Sequence, residues 1–294
     1  MSLTVFANFY IADRKKFEML KLSFRSFNKA KIDQWIINVR GDYKKKVINF
    51  LKKNIKQDKI FYDLNSKKGW FYDSELMLKD IKSKNVFFWL EDHVNISSVR
   101  HFNSVVKDFN MNSCEYLPYS HFFFGEHFKS FKSIKKKETK NLLVINYKLQ
   151  DHHNRLKFMN ENNISGSRYI LAMSAFFSTS LFKKIIKSRT FFKYWPIETP
   201  FDFEKNEYSI SWLPLKIAVL KRELFAIIDD NVGYSGYSLI ERKHNILPKM
   251  FKRIKVLDLN YAQKNNTSNL CKSLKHRLER WYELICYSLK FLKN

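Results

Sequence analysis

The sequence predicts an α/β protein, a mostly parallel sheet flanked by helices with a basic amphipathic helix at its C-terminal end. Three observations predict it. Strand-like and helix-like segments alternate through the first hundred residues. The strand-like segments are short and nearly continuously apolar, as strands covered on both faces are. The helical segments carry apolar residues at spacings of three and four, one stripe per helix.

The elements follow in order. Leu3 to Tyr10 (LTVFANFY) is a first strand, and Asp13 to Lys29 a helix with Phe17, Leu20, Phe24 and Phe27 on one stripe. Ile32 to Val39 is a second strand, ended by Gly41, after which Asp42 is placed to cap a lysine-rich helix from Tyr43 to Ile55. Ile60 to Leu64 is a third strand, Ser66 to Gly69 a loop, Trp70 to Ile81 a helix, and Val86 to Leu90 (VFFWL) a fourth strand. Further on, Val99 to Phe109 is helical, Lys132 to Lys140 a solvated charge run, and Leu142 to Tyr147 a strand. Tyr169 to Ser178 reads as a strand, Leu181 to Ile186 as a short helix, and Leu215 to Leu220 and Leu224 to Ile228 as strands. From about residue 265, Leu274, Leu278, Trp281, Ile285, Leu289 and Leu292 recur at three or four residues among Lys and Arg, the pattern of a basic amphipathic helix.

Composition bounds the function. The chain has 294 residues, 45% hydrophobic and 17% aromatic, which excludes a disordered chain. Six Gly and five Pro exclude collagen-like and linker-rich designs. Fifty-four Lys and Arg against 28 Asp and Glu give a formal charge of +26, which implies an anionic partner: nucleic acid, phospholipid headgroups or a phosphorylated substrate. Cys114, Cys271 and Cys286 show no metal spacing and fit a reduced compartment. The N-terminal segment has no basic region before its apolar run, so no signal peptide is expected, and no eighteen-residue apolar run is present. There is no Gly-x-Ser-x-Gly elbow, no phosphate-cradling Gly-x-x-x-x-Gly-Lys loop and no Gly-x-Gly-x-x-Gly. Their absence weighs against NTPase, hydrolase and nicotinamide chemistries.

In parallel sheets ligands collect at the carboxyl ends of the strands. There the sequence places Glu91-Asp92-His93, two carboxylates and an imidazole directly after a buried strand. Such a cluster binds a cation, works as acid and base, or caps the next turn facing water. The oxygen ligands suit Mg²⁺ or Mn²⁺, and Mn²⁺ also accepts His. A second acidic group, Glu198, Asp202 and Glu204, lies among Trp195, Phe201 and two prolines. A third, Asp229-Asp230-Asn231, precedes a turn with Gly233 and Gly236, with His244 beyond. Adjacent histidines on a polar segment rarely point the same way, so His152-His153 are set aside as a metal pair.

The order of strand and helix units, closing on VFFWLEDH near residue 90, resembles the GT-A class of glycosyltransferases. In that class a short acidic motif, Asp-any-Asp or a variant, ends the strand that closes the nucleotide-binding half. The preceding SKKGWFYDSELMLKDI is similar to the loop and helix that lead into it. The resemblance covers residues 3–96 by order and spacing and, more weakly, residues 165–240. Glu91-Asp92-His93 departs from Asp-any-Asp, and Arg40 stands where the class often has an acidic or polar residue.

The resemblance implies a Rossmann-like domain over residues 1–245, with a nucleotide-binding half at 1–96 and an acceptor half at 97–245, followed by a basic tail at 246–294. It implies a nucleotide-sugar donor. Asn8, Tyr10 and Asp13 would hold base and ribose, Arg40 would follow the second strand, Asp63 and Asn65 would touch the base, and Lys67 and Lys68 would meet the diphosphate. Glu91, Asp92 and His93 would hold Mn²⁺ or Mg²⁺. Asp202 or Glu198 would take the acceptor hydroxyl's proton. The expected acceptor is a glycan or lipid-linked glycan of cell-surface polysaccharide synthesis. The expected location is the cytoplasm, where the tail helix either lies against the inner membrane face through residues 271–294 or packs its apolar stripe on the core or a second subunit. The alternatives are a basic nucleic-acid-binding protein or metal-dependent nuclease, for which no helix-turn-helix, zinc or RNA-recognition signature is present, and a non-catalytic membrane scaffold.

Overall fold

A computed structural model of the chain describes residues 2–118, 134–162, 169–188, 199–200, 202, 211–222 and 224–228. The expected C-terminal helix, Glu198, Trp195, the Asp229–Asp230 turn and His244 lie outside the described residues.

The first half runs β1 (Leu3–Tyr10), α1 (Arg14–Phe27), β2 (Gln34–Arg40), α2 (Lys44–Asn54), β3 (Asp58–Tyr62), α3 (Trp70–Met77) with one 3-10 turn, and β4 (Asn85–Phe88). Then come β5 (His93–Asn95), α4 (Val99–Met111), β6 (Tyr116–Leu117), β7 (Lys136–Glu138), β8 (Leu142–Tyr147) and α5 (Leu149–Glu161). β9 (Ala175–Ser178), α6 (Thr179–Lys187), β10 (Leu215–Leu220) and β11 (Phe225–Ile227) complete it.

Nine strands form one sheet in the order β3-β2-β1-β4-β9-β6-β10-β8-β7, and β5 pairs with β11 apart from it. β3, β2, β1 and β4 are mutually parallel, whereas β9 pairs antiparallel with both β4 and β6. The sheet is therefore mixed, parallel only in its first four strands and in the β6/β10 pair. One cause is connection length. β7 and β8 are separated by residues 139–141 alone, too few for a crossover, so they form an antiparallel hairpin.

Alternation along β1 divides the core. Leu3, Val5, Ala7 and Phe9 pack with α1, α2 and α4 residues such as Phe24, Leu51 and Phe102 on one face. Phe6 packs with Trp70, Phe71, Phe182 and Ile185 of α3 and α6 on the other. Both faces are apolar and covered, which is why the strands read as continuous hydrophobic runs. Aromatic rings fill the first face: Phe87 stacks 5.1 Å from Phe225 and meets Phe27 edge-on at 5.3 Å.

Local chemistry corrects several sequence expectations. Asp42 does not cap α2; its cap residue is Tyr43, without a side-chain hydrogen bond, while Lys44 N–H reaches Gly41 O at 3.0 Å. Asp13 does cap α1, accepting from Lys16 N–H at 2.8 Å. β3 begins two residues before its expected start, because β2 registers Gln34 to Asp58 and Asn38 to Tyr62. Leu64 then bonds the Asn38 side chain, not a strand: its N–H donates to Asn38 Oδ1, and its carbonyl accepts from Nδ2, each at 3.0 Å. Only Ala175–Ser178 of the expected Tyr169–Ser178 strand is paired; Leu171 N–H donates instead to the Tyr116 hydroxyl at 3.0 Å. Three residues of the charge run form β7, and α5 was not expected.

Candidate functional site

Strand order points to a candidate site. From β1 the chain moves outward to β2 and β3, then returns to the other side of β1 as β4. The crevice beyond the carboxyl ends of β1 and β4 is therefore a topological switch point, where open α/β sheets bind ligands. Tyr10 ends β1 and is 59% exposed. Arg40 ends β2, Asp63 follows β3, and Glu91 and Asp92 lie just beyond β4. The fold thus gathers at one end of the sheet residues from Tyr10 to Asp92, 82 positions apart in sequence.

The ends are held rigidly. Ile11 N–H donates to Arg40 O at 2.9 Å, and Tyr43 N–H to Ile11 O at 3.1 Å, so the loops after β1 and β2 are stitched together. Gly41 sits at φ 90° in the seam, where an added Cβ would lie 2.5 Å from Ile11 O. Trp89 N–H continues the β1 pairing to Phe6 O at 2.9 Å, and Leu90 N–H donates to Ser174 Oγ at 2.9 Å.

Glu91 and Asp92 are adjacent carboxylates with 17% and 22% side-chain exposure. Lys16, in the first turn of α1, brings its ammonium to 3.6 Å from Glu91. Burial, with the Asp92 charge adding, pushes Glu91 up to about 7, against which Lys16 and His93 pull. Asp92 behaves oppositely. Burial would raise it, but the charge and hydrogen bond of His93 prevail and hold its carboxyl below the ordinary value. One carboxylate of the pair is thus poised to hold a proton near neutrality and the other is held ionised, a division that recurs at functional sites.

The His93 Nδ1 lies 2.6 Å from Asp92 Oδ1 and its side chain is 2% exposed, so it orients Asp92. A further relay fixes this segment: Trp89 Nε1–H donates to Ser23 Oγ at 2.7 Å, and Ser23 donates to the His93 carbonyl. Ile228 N–H donates to Asp92 O at 2.8 Å, bringing the β11 end alongside.

The remaining expected residues divide. Asn8 is 6% exposed, and its amide bonds Trp70 O at 3.3 Å, Ser74 Oγ at 2.9 Å and Asn38 Nδ2 at 3.0 Å, tying β1, β2 and α3 together. Arg40 lies beside Asp73, whose carboxyl burial pushes up while Ser66 N–H, 3.2 Å from both its oxygens, and Arg40 oppose. Asp63 is exposed and pairs with Lys44. Asn65, Lys67 and Lys68 are exposed in the loop before α3, and the Lys68 ammonium lies 4.6 Å above the Tyr72 ring. Asp202 is fully buried, accepting from Thr199 N–H at 2.8 Å in a single turn. Sequence reasoning missed Lys16 and Asp73. The available signal for Lys16 was its place three residues after the Asp13 cap, one turn past the end of β1.

Among the described residues no group of three or more His, Cys, Asp and Glu side chains stands ready for a metal. Among the described residues, Glu91 and Asp92 fit the pattern of Mg²⁺ or Mn²⁺ held by one or two carboxylates together with substrate phosphates. No described helix is long and apolar enough to cross a membrane.

No protein-family model and no curated protein matches the sequence. Solved structures with a similar course of chain include Staphylococcus aureus TarS residues 1–349, at 11% identity and a TM-score of 0.49 over 98% of this chain and 73% of that one. A TarS 1–349 complex with UDP-GlcNAc has a TM-score of 0.46 at 11% identity, over 76% of this chain and 58% of that one. The mannosyltransferase PcManGT of Pyrobaculum calidifontis, in complex with GDP-Man and Mn²⁺, has a TM-score of 0.43 at 11% identity, over 99% of this chain and 86% of that one.

Proposed function

We propose that the chain transfers a sugar from a nucleotide-sugar donor to a glycan or lipid-linked acceptor, as cell-surface polysaccharide synthesis requires. The observation that supports this most is the unequal carboxylate pair Glu91–Asp92, set with Lys16 at the β1/β4 switch point. Residues 1–96 form the donor half. The base and ribose lie near Tyr10, Arg40, Asp63 and Asn65, with the diphosphate toward Lys16, Lys67 and Lys68. Asn8 and Asp73 act through the residues they position.

The acceptor oxygen attacks the anomeric carbon as the bond from that carbon to the diphosphate oxygen breaks. The electron pair leaves on the nucleoside diphosphate, and the acceptor proton goes to a carboxylate, for which Asp202 and Glu198 in the acceptor half are the candidates. Lys16 and the loop lysines counter the charge that grows on the leaving diphosphate. A Mg²⁺ or Mn²⁺ ion held by Glu91 and Asp92 would supply further charge stabilisation there. The net charge of +26 fits an enzyme working beside an anionic surface at the cytoplasmic face of a membrane.

The test is a thermal-shift screen against UDP, GDP, CMP and CDP, each with and without Mn²⁺, repeated on Asp92→Asn. One diphosphate should stabilise the protein in proportion to RT ln(1 + [L]/Kd), and Asp92→Asn should reduce the gain. Stabilisation by no nucleotide at millimolar concentration would refute sugar transfer. Nucleic acid copurifying with the protein, and lost steeply with salt, would favour the basic nucleic-acid-binding alternative.

A further inference from the structure

The charge run after residue 132 builds a cleft of about 790 Å³ at the far edge of the sheet. Its described lining includes five lysines, Lys135, Lys136, Lys137, Lys148 and Lys216, and a single carboxylate, Asp151. The volume lies within the range of small-ligand sites.

Strand directions show that this cleft is not the site at β1 and β4. β6 and β4 are both antiparallel to β9, and β10 is parallel to β6, so β10 runs with β1 and β4. Lys216 is the second residue of β10 and therefore lies at the amino ends of these strands. Lys136 opens β7 opposite Ile145, and Lys148 directly follows the antiparallel β8, at the same end. Tyr10, Arg40, Glu91 and Asp92 all lie at or beyond carboxyl ends. The cleft is also four strands away, β4-β9-β6-β10-β8, roughly 19 Å of sheet width at ~4.8 Å per strand.

The chemistry of the lining selects an anion. Five lysines lining one concavity raise a positive potential that a bound anion relieves. Asp151, whose Oδ2 accepts from Lys148 N–H at 2.9 Å to cap α5, relieves it only in part, because it is one carboxylate among five lysines. The Lys137 ammonium contacts a neutral oxygen, Asn112 Oδ1, at 3.4 Å. Burial holds Lys136 below the ordinary lysine value, so its proton gains from a nearby anion. Ser113, on the same lining, takes φ 49°, the left-handed region where glycine is usual. The ammonium is a compact point charge suited to phosphate oxygens. Met111, 72% exposed at the rim, offers an apolar lip.

We propose that this cleft is a second ligand site, separate from the one at the carboxyl ends of β1 to β4, and that it takes phosphate groups, of a free oligophosphate or of a phospholipid headgroup. The test compares wild type, Lys135→Gln/Lys137→Gln/Lys148→Gln, and a control of equal charge loss, Lys45→Gln/Lys53→Gln/Lys56→Gln, whose lysines are all exposed near α2. Tripolyphosphate binding is measured by titration calorimetry. Vesicle binding is measured by flotation with phosphatidylcholine alone and with added phosphatidylglycerol. The cleft variant should lose about tenfold or more in affinity for at least one probe, and the control no more than about twofold. Loss confined to tripolyphosphate identifies a free phosphate ligand; loss confined to phosphatidylglycerol vesicles identifies a headgroup. The single substitution Lys148→Glu should move affinity the same way, with an unchanged melting temperature. Equal losses in both triple variants would show diffuse surface charge, and no binding of either probe by wild type would show no site; either overturns the proposal.

Discussion

Replacing Glu91 by Gln tests the electrostatics of the β4 end directly. Glu91 is raised from 4.5 to about 7, with burial the main cause, and its side chain is 17% exposed. At ~1.36 kcal/mol per unit, ionising it in the folded chain costs about 3 kcal/mol. The sign follows from proton counting. Between pH 4.5 and about 7 the unfolded chain has released this proton and the folded chain retains it, so stability falls as pH rises. The loss is absent below that window and complete above it. Asp92 acts in another window: its lowered carboxyl adds stability present above its ordinary value of 3.8 and lost as pH falls through the folded value. Urea unfolding of wild type and Glu91→Gln at half-unit steps from pH 4.5 to 8 separates the two. The variant should gain on wild type as pH rises, by up to about 3 kcal/mol at pH 8, with no further gain beyond. Parallel stability curves over that range would refute the assignment, since a solvated Glu91 has no penalty to remove.

Two further predictions concern the frame that holds the site. Gly41→Ala forces a side chain into the left-handed region and against Ile11 O, so it should cost about 1–3 kcal/mol in chemical denaturation, and it should weaken any nucleotide affinity because Arg40 is the adjacent residue. Phe87→Ala empties a fully buried ring position between Phe27, Phe102, Phe176 and Phe225, and should cost about 3–5 kcal/mol while leaving the pH dependence between 4.5 and 7 unchanged.

The parallel half was legible because its physics is local. The α1 stripe of Phe17, Leu20, Phe24 and Phe27 faces the core as its spacing predicts, with Leu20, Phe24 and Phe27 buried and Phe17 partly so. The short apolar strands β1, β2 and β4 sit within a residue or two of their expected bounds, and β8 and β10 match theirs. The second half was less legible because its strands are short and paired at long range. β6 has two residues and β5 three, and their partners, β9 with β10 and β11, are far away in sequence. No periodicity develops over such lengths, so nothing local announces them.

At the site, the sequence by itself determined that carboxylates follow a buried apolar strand and that polar and charged residues follow the other strands of the same sheet. Strand burial and side-chain type are written locally, so those statements needed no coordinates. Only the tertiary structure decided what each group does. His93 turns to Asp92, Lys16 arrives from a helix 75 positions away to face Glu91, and Asn8 is drawn into the α3 interface. It alone gathered Lys148 and Lys216 with the charge run at one end of the sheet. The reason is the range of the forces. Hydrophobic patterning is set by neighbours in sequence, but a pKa or a charged cleft is set by neighbours in space, and the strand order that chooses those neighbours is a property of the whole chain.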